Sequence, residues 1–177
     1  MAAAELLGAL HATSGLGDGP LPRAVSTQPT ADALEADLRA LRDTGAIDAS
    51  LAARLRTAAA RHDPRVARAG ILHTDLCPEN LVLDARGALR AVDNEGMTLG
   101  PTGFDLARVW YRWPMSRPEW GAFVDAYARL VDPTPALAHF AFWKVAAVLK
   151  SARIRVTQRT PRAEVPLRQL ASLADES

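Results

Sequence analysis

The residues of this chain best suited to chemistry lie in one short stretch: His73, Asp75 and Asn80, and then Asp93. Between Asn80 and Asp93 the sequence runs apolar, turn, apolar: Leu81 to Leu83, then Asp84 to Gly87, then Ala88 to Val92, the pattern of a β-hairpin. With the turn centred on Ala85 and Arg86, Leu81 falls opposite Val92 or Ala91, and Asn80 falls opposite Asp93 or its neighbour. Directly opposed residues of an antiparallel pair have Cα atoms about 5 Å apart, so one mouth of the hairpin gathers an amide and a carboxylate. Asp75 precedes Asn80 on a loop closed by Pro78 and folds over the same mouth. An amide oxygen with two carboxylates suits a hard divalent cation such as Mg²⁺, and a carboxylate beside the metal would act as base or orienter for an incoming hydroxyl.

The elements that must position these groups are mostly helices. Ala2 to Ala12, Ala31 to Thr44 and Asp48 to Arg61 are rich in alanine and leucine, and Leu34, Leu38 and Leu41 give the second of them one apolar stripe. Ile71 and Leu72 make a short buried strand just ahead of His73. After the hairpin the pattern is helical to the end: Phe104 to Trp113, Arg117 to Leu130, Pro135 to about Arg155, and Val165 to Ala174. Trp120, Phe123 and Tyr127 share one helix face, the spacing of a core, whereas Trp110, Tyr111 and Trp113 crowd more than one side of theirs, which brings one of them to a cleft. Thr13 to Thr30 is a long irregular connection rich in glycine and proline. Its Gly15 to Pro20 run is not a phosphate loop, because it follows a helix, lacks a following strand and has proline where a third glycine belongs. His11, His62 and His139 lack partners at metal-ligand spacing and are expected at the surface or its boundary, while Cys77 is expected to fill space in its loop.

Composition sets the outer bounds. At 177 residues, 49% hydrophobic and 23% charged, the chain supports one globular domain, 1–177, and neither disorder nor a membrane span. Met1 to Leu10 has Glu5 and no basic segment ahead of its apolar stretch, so a soluble, cytoplasmic protein is expected. The lone Cys77 excludes an internal disulfide and a multi-cysteine zinc site. A net charge of +1 calls for neither nucleic acid nor a membrane as partner. The only lysines are Lys144 and Lys150.

His73-Thr74-Asp75-Leu76-Cys77-Pro78-Glu79-Asn80, followed by the hairpin and Val92-Asp93-Asn94-Glu95-Gly96, resembles the catalytic loop and metal loop of the kinase-like phosphotransferases. Leu99-Gly100-Pro101 and Phe104-Asp105-Leu106-Ala107 are similar to the aminoglycoside phosphotransferase and choline kinase branch, and Leu10-His11-Ala12 resembles the helix that opens its large lobe. Cys77, and Asn94 with Glu95, stand where a protein serine/threonine kinase would have lysine and Phe-Gly, which points to a small-molecule kinase. The resemblance implies that Asp75 is the catalytic aspartate that accepts or orients the substrate hydroxyl proton, and that Asn80 and Asp93 are the Mg²⁺ ligands. It places His73 in the catalytic set as a scaffold without acid–base work, and Asp105 as a cap on a helix from Leu106 that ties the loop from below.

The implied fold is α+β and mainly α-helical: the C-terminal lobe of the protein-kinase-like fold, with a small catalytic-loop β-hairpin and no N-terminal β lobe. Catalytic and metal loops would occupy 70–107 and a helical substrate-side region 108–177. The implied cofactors are ATP and Mg²⁺, and the implied partner is a small-molecule hydroxyl acceptor. Nothing before Gly70 forms a strand series and no lysine precedes Lys144, so the lobe that grips nucleotide in this family would come from another segment or a partner chain. The expected function is therefore that of a phosphotransferase catalytic lobe, moving the γ-phosphoryl of ATP to a small-molecule hydroxyl, with little or no activity from the isolated chain. The alternative is a truncated kinase-like binding or scaffold protein without catalysis.

Overall fold

The computed structural model describes residues 2–13, 31–62, 64 and 69–176. In chain order these form α1 (Ala2–Ala12), α2 (Ala31–Asp43), α3 (Ala49–Ala60), β1 (Ala69–Leu72), β2 (Leu81–Leu83), β3 (Leu89–Ala91) and β4 (Thr98–Pro101). There follow α4 (Thr102–Arg112), α5 (Arg117–Ala128), α6 (Thr134–Leu137), α7 (Phe140–Thr157) and α8 (Glu164–Asp175). Single 3-10 turns at Pro78–Asn80 and Asn94–Gly96 precede β2 and β4. The Gly15 to Pro20 run lies outside the described residues. Among the described residues no helix is long and apolar enough to cross a membrane.

The chain divides into two compact units. The first, Met1–Thr27 with Val66–Ala138, contains α1, all four strands and α4 to α6. The β2–β3 hairpin is antiparallel, with Leu81 opposite Ala91 and Leu83 opposite Leu89. A second antiparallel pair joins β1 to β4, from Ala69 opposite Pro101 to Leu72 opposite Thr98. The sequence pattern does not announce β4, because Gly100 and Pro101 both disfavour strands; a proline that ends a two-stranded ladder is tolerated there. α1 turns Ala3, Ala4, Leu7 and His11 inward, and Gly8 lets it approach the end of α5 closely: a Cβ there would sit 3.1 Å from the Cβ of Leu130. α4 is buried along Thr102 to Val109, so its polar residues there must find protein partners.

The second unit, Gln28–Arg65 with His139–Ser177, has four helices among the described residues, with α2, α3 and α8 all packed on α7. Leu34, Leu38 and Leu41 supply the buried stripe of α2, and Leu55, Leu149 and Leu170 are fully buried. α2 is followed by a turn at Gly45, whose φ of +72° suits a residue without a side chain, and the Ala46 N–H closes the turn on the Leu41 carbonyl at 3.0 Å. α3 starts cleanly because the Asp48 side chain accepts the Leu51 N–H at 2.7 Å. Burial pushes the Asp37 carboxyl up, against the pull of its ion-pair partner Arg153 and of Lys150.

One expected helix is two. The pattern from Pro135 to about Arg155 is interrupted at His139, which leaves helical geometry with φ of −115° and ψ of 23°. The break falls at the boundary between the units: α6 packs on α4 in the first, and α7 forms the centre of the second.

Burial decides which side chains carry the second unit's stability. Leu38→Ala removes a fully buried side chain and is expected to cost about 2–5 kcal/mol. Glu35→Ala, which breaks only the exposed pair with Arg56, is expected to cost less than about 1 kcal/mol. Urea denaturation checks both, each variant shifting the midpoint without changing the slope.

Candidate active site

The site is built around a buried carboxylate. Asp105 sits in the first turns of α4 at 1% exposure. Its Oδ2 accepts the backbone N–H of His73 at 2.7 Å and its Oδ1 accepts that of Thr74 at 2.8 Å. Oδ2 also lies 3.2 Å from His11 Nε2, and His11 Nδ1 lies 2.8 Å from the Tyr127 hydroxyl. A neutral imidazole that donates from Nε2 accepts at Nδ1, so the phenol O–H completes the relay. Two expectations are corrected here. α4 begins at Thr102 with Pro101 in the capping position, so Asp105 is past the helix start and uses its oxygens on the loop. His11 is buried at 2% exposure, because its ring fills the gap between Asp105 and Tyr127.

The loop held in this way is bent. Thr74 has φ of 68°, a left-handed conformation that costs a non-glycine residue about 1–3 kcal/mol unless its surroundings impose it. They do: its N–H is held by Asp105, its hydroxyl donates to the Gly96 carbonyl at 3.1 Å, and its carbonyl accepts Arg108 Nε–H at 2.9 Å. Gly96 has no room for a side chain, since a Cβ would come within 2.7 Å of the Thr74 hydroxyl. His73, itself buried, bonds across the same gap: Nε2 lies 3.2 Å from the Val92 carbonyl while Nδ1 accepts the Asp75 N–H at 3.4 Å.

Asn80 closes the loop from the other end, its Nδ2 donating to the Asp75 carbonyl at 2.9 Å. That bond leaves Oδ1 as the acceptor. The Val92 N–H bonds the Asn80 carbonyl at 2.9 Å, so Val92 stands across from Asn80 and Asp93 is the next residue along. Asp93 is exposed, in a left-handed conformation with φ of 61°. Among the described residues no cluster of three or more His, Cys, Asp and Glu side chains could hold a metal. An amide oxygen and one carboxylate nonetheless fit Mg²⁺, which binds through one or two carboxylates and completes its octahedron with water and phosphate.

Asp75 is paired. Arg108 Nη2 donates to its Oδ1 at 2.6 Å, and Arg112 Nε lies 3.2 Å from the same oxygen. Neither arginine is among the residues that the sequence motifs single out. The signal was present, because Asp105, Arg108 and Arg112 recur at helix spacing on one face of α4. Cys77 is fully buried, and burial pushes its thiol up in spite of the neighbouring Arg112. Of the aromatic residues, Phe123 and Tyr127 are core, Trp120 is half-buried and stacks on Phe123 at 5.7 Å, and Trp110, Tyr111 and Trp113 are half-buried.

A loop, a hairpin and a second loop backed by helices are the parts of the large lobe of kinase-like phosphotransferases. The structure matches a choline kinase from Streptococcus pneumoniae with a TM-score of 0.69 at 14% identity, over 98% of this chain and 62% of that one. It matches a Plasmodium vivax ethanolamine kinase with a TM-score of 0.64 at 12% identity, over 96% and 57% of the two chains. An aminoglycoside-3'-phosphotransferase of type VIII gives 0.57 at 23% identity, over 82% and 57%. The chain thus spans about three-fifths of the length of these proteins. No curated protein sequence matches it. Residues 2–143 match the phosphotransferase enzyme family, and the chain belongs to that family.

Asp105→Asn puts an NH₂ group where a donor already points. It is expected to cost about 1–3 kcal/mol and to speed hydrogen exchange at the His73 and Thr74 amides above the rest of the unit. Unchanged protection at those two amides would show that another contact holds the loop. Cys77, buried and raised in pKa, is expected to react with iodoacetamide slowly at neutral pH in the folded chain and quickly in urea, as followed by mass spectrometry.

Proposed function

We propose that this chain is the catalytic lobe of an ATP-dependent small-molecule kinase, acting as one domain over 1–177 and transferring the γ-phosphoryl group to a hydroxyl. The observation that carries this reading is the bond from Asn80 Nδ2 to the Asp75 carbonyl. It ties Asn80 to Asp75 and leaves the Asn80 amide oxygen as an acceptor, at the head of a hairpin that returns to Asp93.

In this reading Asn80 and Asp93 hold Mg²⁺, which when bound neutralises the nucleotide phosphates. Asp75 receives the acceptor hydroxyl and aligns it for in-line attack, its Oδ1 fixed by Arg108 and its Oδ2 left to meet the hydroxyl. His73 keeps the two loops in register through Val92 and does no acid–base work. Support for an adenine nucleotide comes from the Streptococcus pneumoniae choline kinase LicA, crystallised in complex with AMP. Support for a small-molecule acceptor comes from relatives described as choline, ethanolamine and aminoglycoside kinases.

Two measurements test the reading. Water proton relaxation should detect weak Mn²⁺ binding that Asp93→Ala abolishes; binding unchanged in that variant would remove Asp93 from the site. The purified chain should turn over ATP slowly or not at all, because no lysine precedes Lys144 to hold the phosphates and lost positioning forfeits up to about 7–11 kcal/mol of the barrier reduction. Any residual turnover should vanish in Asp75→Asn, and rapid phosphorylation of a small alcohol by that variant would displace Asp75 from its role.

A further inference from the structure

Two guanidinium groups converge on the single carboxylate of Asp75, and they are not equivalent. Arg108 is 10% exposed and fully engaged: Nε donates to the Thr74 carbonyl and Nη2 to Asp75 Oδ1. Arg112 stands one helical turn further along, 24% exposed. Its Nε is buried 3.2 Å from the same Oδ1, off the line of a hydrogen bond, and has no hydrogen-bond partner among the described residues. Its Nη2 has the Cys77 sulfur at 3.3 Å, a weak acceptor, and Glu79 only at 4.0 Å. Glu79 is 73% exposed, so water screens most of its pull. The cluster thus holds one buried and one half-buried cation against one half-buried carboxylate. A guanidinium carries five donors and satisfies them on a planar anion.

We infer that Arg112 is a specificity-determining residue, and that the acceptor is a small hydroxy acid whose carboxylate pairs with Arg112 while its hydroxyl meets Asp75 Oδ2. This rests on the kinase reading above and names its acceptor class. A cationic amino alcohol would place an ammonium beside two guanidiniums, a like-charge contact that disfavours it. The hydroxyl and the carboxylate of the acceptor are a few carbons apart, because both Arg112 and the acceptor hydroxyl must reach one aspartate.

The experiment is equilibrium binding of 3-hydroxybutyrate to the full chain, by calorimetry and by the Arg112 Nε–H signal in NMR, against butyrate, ethylene glycol and ethanolamine. 3-Hydroxybutyrate should bind best, should weaken with added salt and should shift the Arg112 signal. Arg112→Gln should weaken it about tenfold, the effect of losing roughly one hydrogen bond to a charged group. Glu79→Gln, on an exposed side chain that leaves the fold alone, should tighten it about twofold by removing a competing anion. Ethanolamine binding as well as the acid, no detectable binding of the acid, or an affinity indifferent to both substitutions would overturn the assignment. Mn²⁺ relaxation on the same samples separates the failures: an Asp93-dependent Mn²⁺ site with no acid binding refutes only the acceptor class, whereas loss of both refutes the kinase reading.

Discussion

The site depends on how Asp105 was taken out of water. Burying a carboxylate is costly unless its oxygens are fully hydrogen-bonded, and here both are taken by backbone amides, with His11 adding a third contact. Because the donors are the main chain of His73 and Thr74, the carboxylate fixes backbone angles as well as side-chain positions. Thr74 is thereby pinned in its left-handed bend, and the next residue, Asp75, leaves the bend toward α4 and its two arginines. A side chain three residues into a helix thus sets the exit direction of a loop far from it in sequence.

The remaining bonds distribute the same constraint. His73 reaches Val92 and the Thr74 hydroxyl reaches Gly96, two ties between the loops that do not involve the hairpin ladder, while the Asn80 amide reaches back to the Asp75 carbonyl and closes the first loop on itself. Each neutral hydrogen bond is worth only about 1 kcal/mol net, but together they hold groups that would otherwise repel or drift. The electrostatics are organised by the same helix. Asp105 anchors from one turn of α4, and Arg108 and Arg112 counter the Asp75 charge from the next two.

Much of the fold was legible in the residues because it follows local periodicity. The stripe Leu34, Leu38, Leu41 and the apolar–turn–apolar run around Asp84 to Gly87 encode a helix face and a hairpin, and the structure has both, with Leu81 opposite Ala91. What escaped the sequence depends on distant partners. β4 exists because β1 offers it a ladder, in spite of Gly100 and Pro101. The break at His139 falls where the packing partners change, from α4 for α6 to α2, α3 and α8 for α7. His11 looks like any helical histidine until Asp105 and Tyr127 close on it. The positions of Asp75, Asn80 and Asp93 relative to the hairpin could be placed by counting, whereas the arginines around Asp75 could not be placed without knowing which face of α4 the loop crosses.

The pairing of β1 with β4 has a topological consequence. The segment from His73 to Met97 enters from one strand and leaves by its partner, so it is a closed loop whose ends are clasped by the sheet. The entropy of bringing those ends together is met once, at the neck, and the neck does not move when the far end of the segment changes. Doubling the length of such a loop costs only about 0.6 kcal/mol more. The solvent-facing tip, with Leu83 and the Asp84 to Gly87 turn, is thus a place where residues can be gained or lost while the neck stays closed, leaving the hairpin tip free to drift in length and composition where the neck is not.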